Sequence, residues 1–351
     1  MGKRILVAPL NWGLGHATRC IPIINALIDN DFEPVIASDG VALELLKKEF
    51  PDLECIELPG YDIKYSKKGC FLKLKLLKDS PKVINAIKAE KKATKDIIEN
   101  YNIKGIISDN RLGVYNKHVP SVFITHQLQV LSGNTTWLST KMHQKIMTKF
   151  DECWVPDNVG EPNLSGKLGH THLSHKSVKY IGPLSRFNKL DCEKIYDVMV
   201  LLSGPEPQRG LLEKKLLTEF KDYSGKVLFV KGIVEKEHQK SVEGNMTIHN
   251  FLMGKELEKA LNESRLILSR SGYTTIMDLA KLGKKAFFIP TPGQFEQEYL
   301  AKRLTEDGFV PSCKQDHFKI EKLDEVKNHK GLETFDYEVN FKRLFHLFKG
   351  E

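Results

Sequence analysis

Three short segments join glycines to side chains that can hold an anion or move a proton. The first is Asn11-Trp12-Gly13-Leu14-Gly15-His16-Ala17-Thr18-Arg19. It follows an apolar run and opens a helical pattern. Gly13 and Gly15 permit a tight turn and close approach of a ligand to the backbone, and the helix start offers N–H groups. A dinucleotide fingerprint wants a third glycine where Thr18 stands, which argues against NAD. His16 titrates near neutrality and can serve as a base in a cleft; the plain alternative is a solvent-facing cap. The second segment, Ser203-Gly204-Pro205-Glu206, repeats the logic of strand end, small turn and helix start. The third is Ser269-Arg270-Ser271-Gly272-Tyr273-Thr274-Thr275-Ile276-Met277-Asp278. Its turn suits a diphosphate, and Asp278, one helical turn further on, can accept two hydrogen bonds from a ribose diol. The segment from Pro290 to Glu298 adds amides and carboxylates suited to sugar hydroxyls, Gln297 and Glu298 among them.

These segments need a frame. Apolar runs rich in Val and Ile, at about residues 5–10, 34–38, 53–58, 105–108, 121–125 and 153–155, alternate with helical patterns at 17–28 and 41–50. The pattern restarts with strands at 197–203, 227–230, 266–268 and 286–289, and with helices at 208–220, 254–262, 274–282 and 295–306. Continuous apolar strands between helices require a parallel sheet covered on both faces. The expected architecture is α/β, with two Rossmann-like doubly wound domains spanning 1–185 and 195–334. The segment 186–194 links them, and a Phe-rich helix at 335–351 packs back on the N-terminal domain.

Together the motifs resemble the GT-B nucleotide-sugar glycosyltransferases of family 28. The family's Gly-rich loop with His resembles Gly13-Leu14-Gly15-His16, and its second Gly-rich loop is partly matched by Ser203-Gly204-Pro205-Glu206. Its Arg-Ser-Gly followed by a ribose-binding carboxylate resembles Arg270-Ser271-Gly272 and Asp278, with Thr274 in the same helix start. Its sugar-reading Gln-Gln pair is similar to Gln297-Glu298, its uracil step to Phe251-Leu252, and its His-Glu-Gln to Thr125-His126-Gln127. The resemblance implies two domains facing a central cleft, with a nucleotide-sugar donor, a UDP-sugar first, in the C-terminal domain. It further implies inverting, metal-independent transfer of a hexose or N-acetylhexosamine to an acceptor on the N-terminal domain. That acceptor is a hydroxyl compound, lipid-linked or part of a cell-envelope glycan. His16 leads as the base, with Asp109 and His126 behind it, and no cofactor is expected. The rivals are a nucleotide-sugar hydrolase on the same fold and a non-catalytic nucleotide-sugar sensor.

Composition narrows the rest. The chain has 351 residues, 41% apolar and 28% charged, with a net charge of +8, which excludes disordered and fibrous classes. No apolar run approaches the roughly 20 residues of a membrane-spanning helix, and the first ten residues lack a signal-peptide pattern. Six cysteines without a C-x-x-C pair point to a reducing, cytoplasmic setting and give no thiolate zinc site. From Tyr61 to Lys95, 11 Lys face 3 acidic residues, interleaved with Phe71, Leu72, Leu74, Leu76 and Leu77. Such a stretch can dock peripherally on the anionic inner face of a membrane, or form a solvated basic helix face; nothing identifies a nucleic-acid module. Asp29-Asn30-Asp31 reads as a turn, and His170, His172 and His175 lack a nearby acidic or Cys partner for a metal.

Overall fold

A computed structural model describes residues 2–61, 72–171, 177–233, 235, 237–332 and 338–349, the side chains of 72–81 and Asn134 excepted. The described residues form two compact units that divide at Arg186 and Phe187, with residues 338–349 belonging to the first.

The first unit is built on a parallel sheet. Its strands are β1 (Arg4–Pro9), β2 (Glu33–Ser38), β3 (Cys55–Glu57), β4 (Ile103–Asp109), β5 (Ser121–Ile124), β6 (Glu152–Val155) and β7 (Val178–Tyr180). They lie in the order β3-β2-β1-β4-β5-β6-β7. Ile5, Leu6, Val7, Ile106 and Ile107 are fully buried, as strands covered on both faces must be. Leu6 pairs with Val35 on one side and Ile106 on the other, and Pro9 lies level with Asp109. Helix α1 (Gly15–Asp29) buries Ala17, Cys20, Ile21, Ile24 and Leu27 at helical spacing. It stops at Asn30, and Asp31 takes a left-handed φ of 63°, so the Asp-Asn-Asp letters form the turn into β2. Helices α2 (Gly40–Glu49), α3 (Leu72–Tyr101) and α4 (Thr136–Met147) complete the connections. Most of the predicted basic docking segment, like His172, His175 and Phe335, lies outside the residues whose side chains are described.

The second unit holds β8 (Tyr196–Leu201), β9 (Val227–Val230), β10 (Lys240–Glu243), β11 (Met246–His249), β12 (Ser264–Ser269) and β13 (Lys285–Phe288). Their order is β10-β11-β9-β8-β12-β13; all pairings are parallel except the β10–β11 hairpin. Helices α5 (Gln208–Glu219), α6 (Gly254–Glu263), α7 (Tyr273–Lys281) and α8 (Phe295–Glu306) cover it. Phe220, Phe229, Phe287 and Phe318 fill its core with Val200 and Leu268. The hairpin, α4 and β7 are additions to the elements expected from sequence.

Two short helices, α9 (Phe341–Leu344) and α10 (His346–Lys349), close on the first unit. Phe345 and Phe348 meet Phe32 edge-on, at centroid distances of 5.7 and 6.4 Å. Phe348 also fills the space over Gly105, where a Cβ would stand 2.4 Å from its Cδ1. Lys3 Nζ donates to the carbonyls of Phe348 and Lys349.

Candidate active site

In each sheet the strand order reverses its direction of growth once, between β1 and β4 and between β8 and β12. Ligands of open α/β sheets bind outside the carboxyl ends of strands at such switch points. The sequence-singled residues fall on these two edges.

In the first unit, β4 ends on Asp109, beside the end of β1. The loop after β1 turns at Gly13, whose φ of 76° favours glycine, and Gly15 starts α1. This places His16 in the first turn, with Nδ1 2.9 Å from Asp109 Oδ1. Arg19, one turn on, is buried and grips both oxygens of Asp109, its Nε 2.5 Å from Oδ2 and its Nη2 on Oδ1. Its Nη1 lies 3.1 Å from His126 Nδ1, in the loop after β5. Cys20 Sγ stands 3.7 Å from Asp109 Oδ2.

The electrostatics assign roles. Burial holds His16 below the ordinary imidazole range; Asp109 pulls it up and Arg19 pushes it down. The ring is therefore neutral near pH 7 and able to take a proton. Burial opposes the charge on Asp109, but Arg19 and then His16 outweigh it and hold the carboxyl well below the carboxylate range. Asp109, fully buried, ionised and gripped by Arg19, is thus the group that orients His16 and not itself a base. His126 is corrected likewise. An arginine can only donate, so Nδ1 of His126 spends its lone pair on Arg19 and cannot take a substrate proton there. Among the described residues His16 Nε2 has no hydrogen-bond partner.

In the second unit, Ser203 and Gly204 follow β8 and are exposed, Gly204 with φ 100°. The phosphate site expected there needs correction. Helix α5 starts only at Gln208, and the Glu206 carboxylate already accepts from Gly210 N and Arg209 Nε in its first turn. A second anion would meet that charge. Arg270 is also displaced from its expected role. It is buried, and its guanidinium donates to the carbonyls of Ile289, Pro290 and Gln208 and to Gln315 Oε1; burial lowers it to about 10. It ties loops together instead of facing a ligand. Ser271 is buried as well and donates to Gln297 O.

At the start of α7, among the described residues, a Cβ on Gly272 would meet Thr275 Oγ1 alone, at 3.9 Å. Thr274 and Asp278 are half-buried in the same helix. Gln297 Oε1 accepts from Thr291 N and Glu298 Oε1 from Gly293 N, so the pair shapes the loop after β13 and keeps one polar atom each for a ligand. Phe251 and Leu252 follow β11 half-buried, and Phe251 meets the edge of His238 at 5.7 Å. Gly232, after β9, was missed. Its φ is 70°, and a Cβ there would lie 2.2 Å from Leu202 O. Arg19 was missed too, although its i+3 spacing from His16 puts both on one helix face.

Residues 211–333 match the model of the glycosyltransferase family 28 C-terminal domain. The chain is 25% identical, over 92% of its length and 88% of the relative's, to a UDP-N-acetylglucosamine–N-acetylmuramyl-(pentapeptide) pyrophosphoryl-undecaprenol N-acetylglucosamine transferase of Glaesserella parasuis. This chain is a GT-B glycosyltransferase resembling family 28. The glycosyltransferase is also 22% identical to an uncharacterized glycosyltransferase of Methanopyrus kandleri, over 84% of this chain and 85% of that one. Its fold matches the crystal structure of Acinetobacter baumannii MurG with a TM-score of 0.60 at 12% identity, covering 99% and 100% of the two chains. The glycosyltransferase thus uses a nucleotide-sugar.

Proposed function

We propose that the chain transfers a hexose or N-acetylhexosamine from a UDP-sugar to an acceptor hydroxyl, with inversion and without an obligatory metal. The observation that carries this reading is the His16–Asp109 pair at the switch point of the first sheet. As the acceptor oxygen bonds to the anomeric carbon, its proton passes to His16 Nε2 and the bond to the diphosphate breaks. Asp109 steadies the imidazolium that forms, and the ion pair with Arg19 keeps Asp109 ionised. In the second unit the start of α7 at Gly272 supplies the positive end of a helix dipole for the leaving diphosphate. Asp278 suits the ribose diol, Phe251 and Leu252 the base, and Gln297 and Glu298 the sugar.

A lipid-linked acceptor is the reading that the surface of α4 favours. Trp137, Leu138 and Met142 are 71%, 49% and 59% exposed. At about 100° per residue they share one arc of roughly 140° with the exposed Lys141 and Lys145. The helix carries no acidic residue. Apolar and cationic side chains on one face suit an anionic bilayer. The Glaesserella relative is named for an undecaprenol-linked substrate. No described helix is long and apolar enough to cross a membrane.

The test is UDP release from a UDP-sugar panel with and without polyprenyl-diphosphate acceptors. Acceptor-dependent release that H16A abolishes, with UDP binding intact, supports transfer. Release at full rate without acceptor would instead mark a hydrolase, and binding without turnover a sensor.

A further inference from the structure

We propose that Arg19 sets opposite tautomers on two histidines, making His16 an Nδ1–H imidazole with a basic Nε2 and His126 an Nε2–H donor. The geometry is a chain of obligatory donors and acceptors. Asp109 Oδ1 and Oδ2 accept from Arg19 Nη2 and Nε, and Oδ1 lies 2.9 Å from His16 Nδ1. An ionised carboxylate accepts only, so the proton of that contact sits on His16 Nδ1. Arg19 Nη1 faces His126 Nδ1 at 3.1 Å and donates only, so there the nitrogen is bare and the proton sits on Nε2. Gln127 Nε2 stands 3.4 Å from His126 Nε2, and its amide turned about presents an oxygen to that N–H.

One contact competes. Arg19 Nη2 is also 2.9 Å from His16 Nδ1, and if it donated there His16 would carry its proton on Nε2 and could not act as a base. Nη2 carries two N–H groups and already serves Asp109 Oδ1, while a bare Nδ1 would set its lone pair against the ionised carboxylate, so the stronger, charge-assisted bond puts the His16 proton on Nδ1 toward Asp109. Among the described residues, Cys20 also stands against Asp109 and His143 of α4 lies near His126. Arg19 is therefore a positioning residue. It leaves one histidine able to take a proton and makes the other a donor at Nε2. Its charge also opposes protonation of His16.

The catalytic half of this inference rests on the proposed role of His16; the tautomers do not. Long-range 1H–15N correlation of the full chain, labelled on histidine and free of substrate, reads both rings near neutral pH. H16Q and H126Q assign the signals. The expected result is Nδ1–H for His16 and Nε2–H for His126; Nε2–H at His16 or Nδ1–H at His126 overturns the proposal. R19K keeps the charge without the planar fork. It should release the tautomer of His126 and leave the acid limb of the kcat/KM profile in place. R19Q, if it folds, should raise that limb by about 1–3 pH units, since a neighbouring positive charge is gone. An unchanged His126 signal in R19K also overturns the proposal. Tautomers as stated with full turnover in H16Q would instead sink the base assignment alone.

Discussion

Replacing Asp109 by Asn tests stability and chemistry at one atom. The carboxylate is fully buried and Arg19 is 1% exposed, so D109N leaves a buried guanidinium without its counter-charge. Removing one partner of such a pair costs about 3–5 kcal/mol. At about 2–4 °C per kcal/mol for a unit of this size, the melting temperature of the first unit should fall by roughly 6–20 °C. Chemistry suffers separately. At 2.9 Å and an effective dielectric of about 20, the gross attraction between Asp109 and an imidazolium is about 6 kcal/mol. If half survives the opposition of Arg19, kcat falls on the order of 10²-fold, a loss of about 3 kcal/mol. The amide can also turn its NH2 toward His16 Nδ1, which puts the ring proton on Nε2 and removes the base outright. The assays are a melting curve and initial rates of UDP release, with UDP affinity as the internal control because the residues proposed for the donor lie in the other unit. Folded D109N within about threefold of wild-type kcat would refute the orienting role of Asp109.

Other perturbations follow from the same geometry. G272V puts its Cβ where, among the described residues, Thr275 Oγ1 alone stands within 4 Å, so melting should hold while UDP affinity drops at least about tenfold by calorimetry; unchanged affinity removes the diphosphate from that helix start. G105A pushes a methyl group to 2.4 Å from Phe348 and should cost about 1–3 kcal/mol in denaturant unfolding. F348A,G105A should recover part of that loss. Burial, with help from His126, lowers His143 to about 4. Its unfolded form binds a proton first as the pH falls, so stability should decline from the ordinary imidazole range down through about 4. H143F, which keeps the ring beside Phe123, should flatten that acid decline in a pH series of melts.

The strands of both sheets were legible because parallel strands are apolar on both faces, as Ile5–Val7 and Val198–Val200 are. The β10–β11 hairpin was not, because Lys240–Glu243 is exposed throughout and lacks the alternation of a half-buried strand. Spacing found the turns after β1, β8 and β12, since glycines and strand ends mark them. It did not say which way each side chain points. Arg270 and Ser271 lie in the loop that the motif marks, yet both turn inward to carbonyls. Arg19 shows the converse. On an amphipathic helix a lone arginine reads as a solvated residue, and its partners, 90 and 107 positions away, are visible only once β4 lies beside β1 and β5 beside β4.

The docking of Phe345 and Phe348 on the first unit has a consequence for synthesis on the ribosome. The faces they cover, around Phe32, Gly105 and Trp154, are made early, and the plug arrives only after the whole second unit. At about 5–20 residues per second, the roughly 160 intervening residues take on the order of 8–30 s. For that interval the nascent first unit carries an uncovered aromatic patch beside its central strands. A chaperone has that long to hold it, and a ribosome stalled before Phe345 releases a chain whose first unit is unsealed.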